Sequence, residues 1–112
     1  MIDVSSFGET IATYEKYGWL LRRILLSSDS QTVLATSEEM IPTGVLIILN
    51  EFDAAWFSRP PQQGGVSWEL RYIGNSPFAL VEKIDEQSPD FEQSLKAVET
   101  RLSEAISKKR PA

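Results

Sequence analysis

Residues 53–85 carry the clearest structural pattern in the chain, and they read DAAWFSRPPQQGGVSWELRYIGNSPFALVEKID. The stretch contains three apolar-rich runs separated by two segments of Gly, Pro, Asn, Gln and Ser, a composition that favours turns. It also contains two of the three Trp residues of the chain. The pattern predicts three β-strands joined by two turns.

The middle run, residues 66–73, alternates in hydrophobicity with a period of two. That period is typical of a strand with one buried face, and the aromatic side chains favour a strand as well. The expected buried face carries Val66, Trp68, Leu70 and Tyr72, and the expected polar face carries Ser67, Glu69 and Arg71.

The last run alternates again behind a Gly-Asn-Ser-Pro turn, so it should form a hairpin with the middle run. A three-residue loop pairs Gly74 with Phe78 and places Glu69 opposite Lys83, an attractive cross-strand pair. A register one residue away would place Glu69 opposite Glu82 and mix the two faces. We therefore predict the first register.

The first run, Ala54 to Arg59, is expected to end at Pro60-Pro61, because Pro cannot donate to a ladder. The Gln-Gln-Gly-Gly segment then returns the chain. The loop length leaves the register open, so either Trp56 or Phe57 faces the core. The other aromatic ring is then expected on the outer face.

The N-terminal part of the chain has the pattern of a helix. Ser6 and Glu9 match a capping box, and apolar residues recur at helical spacing after them. We predict a helix from about Phe7 to Tyr17, with Gly18 as its left-handed terminator.

Residues 19–26, WLLRRILL, fit either a continuation of that helix or a strand. Gly18 is a helix stop in the right place, and Ser27–Ser30 has turn chemistry. Residues 31–36 are strand-like, so we predict a hairpin with a strand at 19–26.

The next segment, Glu38–Thr43, is expected to be a connection because it contains Pro42. The apolar run Val45–Leu49 predicts a buried strand. That strand could continue into Ala54–Arg59 through a bulge near Asp53.

The C-terminal part predicts a helix. Ser88-Pro89-Asp90 has the order of an N-cap, a first-turn Pro and an acid that suits the helix dipole. A single apolar stripe follows at helical spacing. Its members are Phe91, Leu95, Val98, Leu102, Ala105 and Ile106.

Together these segments predict an α+β fold: an N-terminal helix, an antiparallel sheet of four to five strands, and a C-terminal helix packed on the sheet. Its 112 residues suit a single domain over residues 1–112, with 108–112 as a frayed tail. This succession in an acidic chain is similar in outline to small dimeric secretion-chaperone-like proteins, and that resemblance of layout implies a dimer as one alternative.

Charge and residue usage exclude several functions. The net charge is −5, so binding to a nucleic-acid backbone is not expected. The chain has no Cys and no His, which excludes disulfides, thiolate zinc sites and Ser-His or Cys-His nucleophiles. We predict no cofactor, no metal and no membrane partner, and we expect a cytoplasmic protein.

The candidate site is the charged cluster near the aromatic strands. Arg59 and Arg71 suit an anionic ligand, whereas the plainer interpretation is a solvated sheet face with ion pairs. Asp53 belongs to the same cluster, and Arg22-Arg23 are expected to be cross-strand partners of acids. The predicted binding residues are Trp56, Phe57, Arg59, Glu69 and Arg71.

No carboxylate pair has the differently tuned surroundings that acid–base catalysis needs, so we predict no catalytic residue. We expect a non-catalytic binding or adaptor protein, because aromatic and Arg side chains are enriched at interfaces. A homodimer is expected whose interface includes Ala54–Arg59, with a protein or peptide as a further partner. The alternative is a small-ligand-binding or enzymatic pocket that uses Arg59 and Arg71 against an anionic ligand.

Overall fold

The structure, a computed structural model, describes residues 4–35, 44–62, 65–74 and 78–109. Helices and strands alternate in the first half of the chain, and three consecutive strands precede the last helix. The bounds are α1 Val4–Lys16, β1 Leu20–Leu26, α2 Ser28–Ala35, β2 Leu46–Leu49, β3 Ala54–Gln62, β4 Gly65–Tyr72, β5 Ala79–Ile84 and α3 Phe91–Lys109.

The strands of the described residues form one five-stranded sheet in the order β2-β1-β3-β4-β5. This confirms the predicted α+β fold with a helix at each end of the chain. All neighbouring pairs are antiparallel except β1 and β2, which are parallel. The idea that β2 continues into β3 is wrong, because β1 lies between them in the sheet.

The predicted strand at 19–26 is confirmed as β1, but the strand predicted after it is wrong. Residues 28–35 form α2 instead. A parallel pair needs a crossover connection, which the segment containing α2 provides between β1 and β2. The Ser-rich segment starts the helix, since the Gln31 N–H donates to the Ser27 carbonyl at 2.9 Å. The connection predicted at 38–43 lies outside the described residues.

The N-terminal helix ends where the sequence predicted. Gly18 has a φ of +88°, a left-handed conformation that favours Gly, and the Trp19 N–H donates to the Tyr14 carbonyl at 3.0 Å. The predicted helix start is wrong: α1 begins at Val4, so Ser6 lies in the first turn and does not precede the helix.

The sheet has a helical layer on each face. On one face, α1 and α2 bury Phe7, Ile11 and Leu34 against β1 and β3. On the other face, α3 buries Leu95, Val98 and Leu102. We call these faces the α1 side and the α3 side.

The predicted exposed aromatic of β3 is wrong. Trp56 lies in the α3-side cluster, Phe57 lies in the α1-side cluster, and each is 0% exposed. Alternation does put the two rings on opposite faces, but a helix covers each ring. The strand also continues through Pro60-Pro61 to Gln62, with a register irregularity after Arg59. Irregular positions of this kind tolerate Pro.

The register of β4 and β5 differs from the prediction by two residues. Glu69 lies opposite Val81 and Leu70 opposite Leu80. The Tyr72 N–H donates to the Phe78 carbonyl at 2.8 Å, so the connection is longer than the three residues predicted. A shift of two preserves the faces, and Trp68 and Leu70 are buried as expected.

The C-terminal helix packs as predicted. Its buried residues contact the sheet face that carries Trp68 and Leu70, and Tyr72 is half-buried at the edge of the same cluster. The Ser88 hydroxyl accepts the Asp90 N–H at 3.1 Å, and the helix begins at Phe91, after Pro89. Residues 110–112 of the predicted tail lie outside the described residues.

Candidate functional site

The two outer helical layers are offset from each other. On the α1 side, α1 and α2 pack on β1, whereas α3 packs on β4 and β5 from the opposite face. Within the described residues, no helical layer packs on the α1-side surface of β4 and β5. We call this surface, together with the end of β3, the open half-face; it consists of Arg59, Ser67, Glu69, Arg71, Ala79, Val81 and Lys83.

The strand register arranges this surface in rows. Arg59, Ser67 and Lys83 form one row across β3, β4 and β5. Glu69 and Val81 form the next row, beside Phe57, and Arg71 and Ala79 form the row after that. Three of the five predicted binding residues thus share a surface: Arg59, Glu69 and Arg71. The other two, Trp56 and Phe57, are core residues.

Tyr14 of α1 borders the open half-face, a role that no pattern in the sequence indicates. Its ring stacks on Phe57 with the centroids 4.0 Å apart and the planes at 12°. Its hydroxyl donates a hydrogen bond to Oε2 of Glu69. Burial, and then this bond to Glu69, raise the pKa of Tyr14 well above its usual value, while Arg71 acts in the opposite direction. The hydroxyl therefore stays protonated at neutral pH and holds Glu69 in place.

Trp19 lies beside Tyr14 along the same boundary of the open half-face and contacts Arg59. The guanidinium carbon of Arg59 is 5.8 Å from the centre of the Trp19 ring, within the range of a cation–π contact. Trp19 in turn meets Tyr14 edge to face at 6.2 Å. An aromatic border of Tyr14 and Trp19 thus separates the open half-face from the covered part of the sheet.

Arg59 and Arg71 do not converge on one pocket. Arg59 pairs with Ser67, which is four residues from Arg71 along β4, so their rows are roughly 13 Å apart. The carboxylate of Glu69 lies in the row between them. A cavity of about 110 Å³ does occur elsewhere, beside Glu51, Phe52, Ser103, Ile106 and Ser107.

Asp53, which was predicted to belong to the charged cluster, has a structural role. It is buried, and its carboxylate accepts the Ser27 N–H at 2.8 Å and the Ser30 hydroxyl at 2.6 Å. These bonds fix the start of α2 beside the sheet.

Arg22 and Arg23 both point to the α3 side because β1 contains a register irregularity between Leu21 and Arg23. Both arginines pair with acids as predicted, but the prediction of cross-strand partners is wrong, because the acids lie after β5 and in α3. Arg22 contacts Glu86 at 3.2 Å, and Arg23 makes two bonds to Glu92, at 2.8 and 2.6 Å. Hydrogen bonding from Arg23 lowers the pKa of Glu92.

The second accessible surface is the outer edge of β2. Leu46, Ile47 and Leu49 are 52%, 44% and 65% exposed, which contradicts the prediction of a buried strand. Among the described residues β2 pairs only with β1, so its outer edge presents apolar side chains beside backbone groups that no strand pairs. We call this surface the β2 edge.

The described residues contain no group of three or more Asp or Glu side chains arranged to hold a metal ion. None of the helices in those residues is long and apolar enough to cross a membrane. Comparison with known proteins found no matching family model, no similar curated protein and no similar solved structure.

Proposed function

We propose that this chain is a non-catalytic protein-interaction domain that forms a homodimer through the β2 edge. The observation that carries the proposal is the exposure of Leu46, Ile47 and Leu49 on a strand at the edge of the sheet. Soluble proteins usually protect such edges with charges, Pro or a covering element. This strand reads LIIL and has none of these residues within it.

A second copy fits this edge by symmetry. A two-fold axis normal to the sheet brings two β2 strands together antiparallel and keeps the two faces in register. With Ile48 at the axis, Ile47 of one copy lies opposite Leu49 of the other. Both residues lie on the α1 side, because their neighbours Ile24 and Leu26 belong to that cluster. The pairing would join two five-stranded sheets without bringing like charges together within β2.

The expected affinity follows from the size of this edge. Stable interfaces bury about 1,200–2,000 Å², and a four-residue strand is short for that purpose. We therefore expect a dissociation constant in the micromolar range or weaker. The interface predicted from the sequence, at Ala54–Arg59, depended on an exposed aromatic ring. Trp56 and Phe57 are both buried within one copy, so no such ring is available there.

Sedimentation velocity at increasing protein concentration tests the proposal. We expect the wild-type chain to shift from monomer to dimer over micromolar concentrations, and the double variant Ile47→Lys, Leu49→Lys to stay monomeric. Val81→Lys is the matched control, because Val81 is 54% exposed on the opposite edge strand. Circular dichroism checks that each variant is folded.

Two results would overturn the proposal: a wild-type chain that stays at monomer mass throughout, or a dimer that the β2 variant leaves intact. A dimer lost equally with Val81→Lys would place the interface elsewhere. The ligand-pocket alternative gains no support from the separation of Arg59 and Arg71. The layout resemblance to secretion chaperones carries no part of the proposal, since α2 stands where that outline has a strand.

A further inference from the structure

The open half-face differs in charge from the rest of the molecule. It carries three cations, Arg59, Arg71 and Lys83, and one carboxylate, Glu69, which gives two net positive charges. The whole chain carries −5. The residues outside this surface therefore carry a net charge of −7. The open half-face is thus opposite in sign to the chain as a whole.

The spacing of these cations favours an extended partner over a compact one. Arg59 and Lys83 lie two strands apart in one row, which corresponds to roughly 10 Å. Arg71 lies two rows further along β4. A small anion that bridged both ends would also meet the Glu69 carboxylate, whereas separate carboxylates on an extended chain can meet each cation individually.

We propose that the open half-face binds an extended acidic segment of a partner protein. Carboxylates of the segment pair with the Arg59–Lys83 row and with Arg71, and an apolar side chain of the segment lies on the exposed Val81. This surface lies on the edge of the sheet opposite the β2 edge, so it serves a partner independently of the dimer.

A nucleic acid fits this surface less well. Backbone recognition of nucleic acids depends on many phosphate contacts within a positive field. This surface offers three cations, and the surrounding molecule is acidic. A short acidic peptide segment carries fewer charges and also offers a side chain for Val81.

Fluorescence anisotropy with a short fluorescein-labelled peptide of alternating Glu and Val tests the proposal. At low ionic strength we expect saturable binding that weakens as salt is added. Arg71→Glu and Lys83→Glu should each weaken it about fivefold or more. Lys96→Glu on α3 is the matched control, because it changes the net charge equally on the other side of the sheet and should change binding by less than about twofold.

Arg71 interacts with Tyr14, so Arg71→Glu could weaken binding by disturbing the fold. Lys83 lies exposed on the edge strand β5, so Lys83→Glu tests the same surface without that effect. The absence of saturable binding would overturn the proposal. So would equal weakening by Lys96→Glu and Lys83→Glu, which would indicate only a general charge effect. Tighter binding of a single-stranded oligonucleotide with the same charge, in the same buffer, would assign the surface to nucleic acid instead.

Discussion

At the scale of single residues, the two buried Trp residues show how similar sequence signals lead to different roles. Trp56 and Trp68 pack edge to face with their ring centres 5.9 Å apart. The Trp56 indole N–H donates to Oε2 of Glu99 at 2.9 Å. The Trp68 indole N–H is buried and has no hydrogen-bond partner within the described residues.

This difference predicts unequal effects of the same substitution. Trp56→Phe removes a hydrogen bond to a carboxylate, whereas Trp68→Phe removes a buried donor without a partner. Both variants lose similar packing volume, so we expect Trp56→Phe to lower the free energy of unfolding by about 1–3 kcal/mol more than Trp68→Phe does. Urea unfolding of both variants measures the difference, and an equal or larger loss for Trp68→Phe would contradict it.

Tyr14 predicts a pH dependence at alkaline pH. Burial, followed by the bond to Glu69, raises its folded-state pKa above the value in the unfolded chain, about 10. The stabilisation is therefore complete below about pH 10 and is lost as the pH rises toward the folded-state pKa. We expect the wild-type free energy of unfolding to fall more steeply above pH 10 than that of Tyr14→Phe.

Tyr17→Phe is the control for this prediction, because Tyr17 belongs to the same helix end but is exposed. Its alkaline stability profile should follow that of the wild type. If the free energy of unfolding falls equally steeply with pH in wild type and Tyr14→Phe, Tyr14 does not cause the loss of stability at alkaline pH.

At the scale of elements, the sequence predicted the helices and strands whose pattern lies within a single segment. The alternation of β4, the stripe of α3 and the stop at Gly18 each arise within one segment, and each is confirmed. The start of α2 was not predictable, because the Ser-rich segment before it suits a turn and a helix N-terminus equally. The contact that fixes this start comes from Asp53, at the far end of the segment between β2 and β3.

Asp53 therefore predicts a long-range effect on a helix. Asp53→Ala leaves the Ser27 N–H and the Ser30 hydroxyl without their acceptor, and we expect a loss of about 2–3 kcal/mol in the free energy of unfolding. Glu51→Ala, at an exposed position nearby, should cost less than about 0.5 kcal/mol. Guanidinium unfolding of both variants measures the two losses of stability. Losses of equal size would contradict the role of Asp53 in holding the start of α2.

At the scale of the whole molecule, the sequence could not distinguish a central from an edge position. The apolar run at 45–49 is typical of a buried parallel strand, and β2 is indeed parallel to β1. Its position at the edge depends on the crossover through α2, which local patterns did not indicate. In the same way, alternation alone could place Glu69 and Arg71 on one face, whereas the place of Arg59 depends on the register of β3. The border of Tyr14 and Trp19 depends on how α1 packs.

Amide hydrogen exchange along β2 tests whether the dimer interface lies at the β2 edge. Exchange is measured at protein concentrations below and above the sedimentation midpoint. We expect the outward-facing amides of Leu46–Leu49 to exchange more slowly at the higher concentration, while the amides of Ala79–Ile84 on the opposite edge stay unchanged. Slower exchange confined to β5, or unchanged β2 exchange in a sample at dimer mass, would contradict the account.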